Sequence, residues 1–215
     1  MRTCLLLAAI LLSAASLVSA QSLQYHLVPG EVPKDTGCDP TSPARICLSA
    51  SGTDHCFIPK KSTDGFIFGM EPEARSLGDF NREELILFSA MFSGCGSGTL
   101  RDYSLLVVRD GEFVNLLPHV RLTNQSEIVI WKRPPISIYP ILITADFIWD
   151  FDRNETHFSS HYYEIDVYLY DPSSREYKHK LSYKTAHKYP GLDDGDEINV
   201  IKPETQVILK RLQPN

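Results

Sequence analysis

The amino-acid sequence predicts an all-β, mainly antiparallel fold, either a β-sandwich or a partial propeller-like repeat of hairpins, with a short helical segment at the C-terminus. Three observations point to it. Short apolar runs recur from Glu84 onward, separated by glycine, proline and aspartate. An Asp110-Gly111 pair lies between two of these runs, the strongest short-range signal for a hairpin. Residues 162–170 alternate by twos, with Tyr163, Ile165, Val167 and Leu169 on one face and Glu164, Asp166, Tyr168 and Tyr170 on the other.

Taken in order, residues 1–20 read as a signal peptide. Arg2 supplies the positive start, Leu5 to Leu12 form an apolar stretch, and Val18-Ser19-Ala20 places small residues before a cleavage site near Ala20. The stretch is too short and too rich in serine for a spanning helix, which needs about 20 apolar residues. Residues 21–65 are rich in proline, glycine, serine and threonine and read as an irregular, disulfide-pinned segment with short strands near Gln24–Val28 and Arg45–Ser49. Residues 66–215 read as a single mainly-β domain. Asn81 to Glu84 resembles a helix start, yet Leu85, Leu87, Ser89 and Met91 alternate with Ile86, Phe88, Ala90 and Phe92, which favours a strand buried on both faces. Further strands are expected at 103–108, 112–117, 127–131, 140–148, 162–170 and 177–185. A closing helix over 203–212 would place Glu204, Val207, Ile208 and Leu212 at helical spacing. The order of strand, loop and hairpin at 85–117 recurs faintly at 140–185, as in propeller blades or stacked sheet modules.

The formal charge is −6, and removal of the segment carrying Arg2 makes it one unit more negative. An acidic chain is a poor partner for nucleic acid, and its apolar stretches are too broken for stable membrane insertion. Cys38, Cys47, Cys56 and Cys95 remain after cleavage. Their spacings of nine, nine and thirty-nine residues lack the close pair of a zinc site, so disulfides are expected. Two of the first three cysteines are expected to pair, leaving the third for Cys95. The predicted address is secreted or periplasmic.

The densest polar segment runs from Asp146 to His161. Asp150, Asp152 and Asn154 have the alternating oxygen spacing of calcium loops, although Glu155 stands where such loops need glycine and His161 where they need glutamate. With Glu155, His157 and His161 the segment becomes a candidate site for Ca2+ or Zn2+, provided Ser159-Ser160 bends the chain. Gly94-Cys95-Gly96-Ser97-Gly98 fails as a nucleophile elbow and as a phosphate loop. Trp149, Tyr162, Tyr168 and Tyr170 are expected to form an exposed aromatic binding surface beside carboxylates.

Leu122 to Glu127, Ala145 to Asp152, Glu155 to Phe158 and Lys188 to Asp193 together resemble segments of a family of secreted bacterial proteins without assigned activity, over about residues 85–200. The resemblance implies export and brings no activity with it. The expected function is therefore a β-rich binding or interaction domain for a protein or carbohydrate ligand. A metal-dependent hydrolase built on Asp150 to His161 is the alternative.

Overall fold

The computed structural model describes residues 24–35, 37–49, 55–60, 63–80, 83–94, 98–117, 119–132, 134–149, 155–156, 158–191 and 197–213. Among them the elements run β1 (Tyr25–Val28), β2 (Arg45–Leu48), β3 (His55–Phe57), β4 (Met70–Phe80), β5 (Glu83–Ser93), β6 (Thr99–Arg109), β7 (Glu112–Asn115), β8 (Val120–Thr123), β9 (Ser126–Trp131), β10 (Ile141–Ile148), β11 (Tyr162–Asp171), β12 (Glu176–Lys184) and α1 (Ile201–Leu212). All strand pairings between these elements are antiparallel.

Sheet A is β1-β2-β3, sheet B is β4-β5-β6-β7 with β8 also paired to β6, and sheet C is β9-β10-β11-β12. Sheet C is thus a four-stranded meander and sheet B a four-stranded meander with β8 as a fifth strand, and the faint sequence repeat falls on them. They stack face to face as a sandwich: Leu85, Leu87, Leu105 and Val107 of sheet B share a core with Leu142 and Tyr177 of sheet C. The opposite face of sheet B, through Ile86, Phe88, Ala90 and Leu106, packs on Ala44, Ile46 and Phe68. The opposite face of sheet C, through Ile141, Ile143, Ile165 and Val167, packs on Ile201 and Ile208 of α1. The order of layers is therefore sheet A, sheet B, sheet C, helix.

Local chemistry fixes the turns. Asp110 and Gly111 both have positive φ (52° and 80°), as a two-residue hairpin with the right twist requires. Arg109 and Glu83 form a two-point ion pair (2.7 and 2.9 Å) at the same end of the sheet. Sheet A meets the start of sheet B through the hydrogen bond from Gly30 N to Gly69 O (2.7 Å). A Cβ on Gly30 would sit 1.9 Å from the Ser42 carbonyl oxygen, so the approach demands glycine.

The short strands expected near Gln24–Val28 and Arg45–Ser49 are β1 and β2, and β3 joins them in a three-stranded sheet. Two expectations are corrected. No strand was expected over Met70–Phe80, yet β4 runs the whole way as an edge strand. Its register shifts fall around Pro72 and Gly78, where those residues interrupt the ladder. The closing helix begins earlier, at Ile201, and buries Ile201, Glu204 and Ile208, while Val207 is 40% exposed.

That helix has no side-chain cap of its own. Glu127 of β9 supplies one across 73 residues: its Oε2 accepts hydrogen bonds from Val200 N (2.6 Å) and Ile201 N (2.8 Å). A carboxylate there satisfies orphan N–H groups and meets the positive end of the helix dipole. Replacing it, Glu127→Ala, is expected to lower stability by about 1–2 kcal/mol, with Glu127→Gln losing less. The check is a urea melt, in which the midpoint falls and the slope stays constant.

Candidate functional site

Of the residues singled out by sequence, Asp150, Asp152, Asn154, His157 and Cys95 lie outside the described residues. Glu155 and His161 do come together, but inside the protein. His161 is 0% exposed. Its Nε2 lies 3.0 Å from the Thr156 carbonyl oxygen, and its Nδ1 faces Glu155 Oε2 at 3.7 Å. Glu155 Oε1 receives the Lys188 ammonium at 2.7 Å, so a cation already stands against that carboxylate. Phe147 and Trp149 close around the imidazole, with ring centroids 5.0 and 5.8 Å away. Among the described residues, no three histidines, cysteines or carboxylates converge as a metal ion would need.

The four aromatics expected to form an exposed surface are half-buried. Trp149 stacks on His161. Tyr162 carries the Lys184 and Lys188 ammonium groups over its ring, at 4.1 and 5.4 Å. Tyr168 packs on the core between sheets B and C and against His179, and burial pushes its phenol up to about 12. Tyr170 lies in a ring cluster with Phe80, Tyr139 and Tyr177. Cys47 and Cys56 are bridged, opposite one another on β2 and β3. Cys38 is disulfide-bonded as well, to a partner outside the described residues.

A different place has the makings of a site. β7 pairs with residues 106–109 of β6 and β8 with residues 100–103, so the sheet edge is split opposite Ser104 and Leu105. The chain between β7 and β8 leaves the sheet here, and Asn115 patches the ladder. Its Oδ1 accepts from Leu105 N and from Leu117 N, each at 3.1 Å, while Leu116 N donates to Leu105 O (2.7 Å). Tyr177 N in turn donates to Leu116 O (2.7 Å), which ties the start of β12 to the same loop.

The split opens into a notch of about 300 Å³ built from all three sheets. Phe57 and Lys60 come from sheet A and its exit, Asp102, Ser104 and Asn115 from sheet B, and Glu176 from sheet C; His119 stands at the rim. That volume is at the small end of ligand sites. With its Oδ1 occupied twice, Asn115 has its amide NH2 group to offer. Phe57 is fixed by an edge contact with Phe88 (6.1 Å, 86°).

Asp102 is the notable group. It is 4% exposed, and burial pushes its carboxyl up to about 6 against the opposing pull of Arg121. Arg121 Nε lies 3.6 Å from Asp102 Oδ1, an ion pair outside hydrogen-bonding reach. The guanidinium is held on its other side by Asp64 (3.3 Å) and by the face of Phe68 (5.4 Å). Neither Asp102 Oδ1 nor Arg121 Nε has a hydrogen-bond partner among the described residues. Buried orphan atoms and a displaced carboxyl are what binding and catalytic sites concentrate.

Comparison of the chain with models of protein families, with curated proteins and with solved structures gave no match.

The sequence reading passed over this site because its residues are scattered from 57 to 176. One local signal existed: Asp102 and Ser104 point to the face of β6 that continues as Leu106, so polar residues stand at a core period. The displaced carboxyl also has a measurable signature. Its folded pKa of about 6 lies above the unfolded 3.8, so its contribution to stability is full below pH 3.8 and is lost as pH rises to 6. Asp102→Asn is expected to abolish this slope and gain about 2–3 kcal/mol on the native protein between pH 4 and 7. Urea melts of both proteins across that range test this; parallel pH profiles would refute the assignment.

Proposed function

We propose that this chain is an exported binding domain that receives a compact polar ligand in the notch between β7 and β8. The supporting observation is that three sheets converge on one cavity whose wall holds the buried Asp102 carboxyl, paired only loosely with Arg121 at 3.6 Å. Structural carboxylates are ordinarily satisfied by their own fold, as Asp146 is by Thr123. Asp102 has the longer ion pair with Arg121 in place of such bonds.

Export is supported by the Cys47–Cys56 disulfide, a bond that persists in oxidising compartments, and by the leader pattern of residues 1–20. Among the described residues no helix is long and apolar enough to cross a membrane.

The reading is tested by a fragment screen on isotope-labelled protein, followed by amide signals. Polar fragments are expected to shift the signals of Ser104, Asn115 and Leu117, and binding is expected to change across pH 6 as Asp102 titrates. Hits spread over other surfaces, with the notch silent, would sink it. Mass analysis of the exported protein is expected to find Gln21 at its N-terminus.

A further inference from the structure

A second cavity, of about 260 Å³, lies where three connecting segments meet. Thr41 and Pro43 lead into β2, Pro59 and Lys60 follow β3, and Phe66, Ile67 and Phe68 lead into β4. Hydrogen bonds from Gly30 N to Gly69 O (2.7 Å) and from Ala44 N to Phe68 O (2.9 Å) hold these segments together. The walls belong to the core between sheets A and B. Phe68 is buried in it, and Phe66 packs against it with its ring 4.6 Å from that of Phe92. The two prolines have a fixed φ and no N–H, so their side of the cleft is stiff and adds no backbone donor. At this corner the core stays open to solvent, with Phe66 and Ile67 half-buried.

Polar chemistry in the cleft is sparse. The Thr41 hydroxyl donates to the Glu31 carbonyl oxygen (3.2 Å), so its hydrogen is spent. Among the described residues Lys60 is the only charged side chain in the lining, and it borders the notch as well. The acids near it in the chain and in the notch already have cations of their own. Asp64 lies 3.3 Å from Arg121, Asp102 lies 3.6 Å from the same guanidinium, and Glu176 lies 2.6 Å from Lys178. Among the described residues no carboxylate pairs with Lys60.

That combination selects by charge and by polarity. A neutral hydrocarbon would strip water from the ammonium and return nothing. A cation would be repelled, and a molecule polar all round would lose its hydration against proline and phenylalanine. What fits is hydrocarbon over most of its surface and carries one negative group.

We infer that this cleft binds a small apolar carboxylic acid, with its hydrocarbon part between Pro43, Pro59 and Phe66 and its carboxylate on Lys60 Nζ. The volume lies just below the usual range of ligand sites, which limits the occupant to a short aliphatic or single-ring acid. The inference goes beyond the notch reading and does not depend on it.

The test titrates the isotope-labelled full chain with phenylacetate and hexanoate. Phenylacetamide, phenethylamine, succinate and a tripeptide ending in free phenylalanine are titrated in parallel. Both acids are expected to give saturable shifts of the Thr41, Ile67 and Phe68 amide signals, with magnetisation transfer from the Phe66 ring to ligand protons. Phenylacetamide is expected to bind about threefold more weakly than phenylacetate, the scale of an exposed ion pair. Lys60→Met is expected to abolish that difference, so that acid and amide bind alike. The comparison of acid with amide on the unmodified protein decides the matter even if a variant fails to fold.

Equal binding of acid and amide, tighter binding of phenethylamine or succinate, or binding by the tripeptide alone would overturn the assignment. Silence of Thr41, Ile67 and Phe68 toward both acids would overturn it too. Shifts confined to Ser104 and Asn115 would do the same and leave the notch reading standing.

Discussion

Two strands, β5 and β10, are apolar on both faces, and that single property dictates the layering of the molecule. Ile86, Phe88 and Ala90 of β5 need cover on one side, and Leu85 and Leu87 need it on the other. In β10, Leu142 faces sheet B while Ile141, Ile143 and Ala145 face the helix. A sheet whose central strand is buried twice cannot be an outer layer. Sheets B and C therefore stack on each other, and each recruits a second cover. Sheet A covers one and α1 the other. Polar contacts add to that packing: the Gly30–Gly69 and Ala44–Phe68 hydrogen bonds for sheet A, and for α1 the Glu127 carboxylate and the Tyr183 and Tyr189 hydroxyls that donate to Glu204.

The notch is where this layering is left unfinished. Opposite Ser104 and Leu105 the ladder has no continuous partner strand, and Asn115 replaces backbone with side chain to satisfy what remains. Polar groups then stand on a face of β6 that is otherwise core. Placing Asp102 there opposes stability above its pKa, since its charge is partly desolvated and its pairing with Arg121 is loose. Such a local conflict with good packing is common where a protein keeps surface for a ligand.

The fold was legible where chemistry is local. Asp110-Gly111 announces its hairpin, residues 162–170 alternate as they pack, and the two apolar sets of 85–92 correspond to the two cores that β5 joins. Strand β4 was hidden because Pro72 and Gly78 are breakers in sequence, whereas an edge strand accommodates both at register shifts. Val207 was misplaced because helical spacing alone does not say which apolar stripe faces the sheet. The site was harder. Asp150 to His161 drew attention by composition, yet His161 turns inward beneath Phe147 and Trp149 and Glu155 is met by Lys188. Phe57, Asp102, Asn115 and Glu176 carry no shared motif; only the stacking of three sheets brings them together.

The Cys47–Cys56 bridge closes a loop of nine residues, so its effect on the chain entropy of the whole molecule is modest. Its leverage is local. Cys56 precedes Phe57 in β3, the short strand that supplies one wall of the notch. The described strands of sheets B and C contain no cysteine, and their shared core does not depend on the bridge. The bridge therefore pins β3 to β2 outside the core that sheets B and C share, so what it fastens is a wall of the notch and not the scaffold behind it.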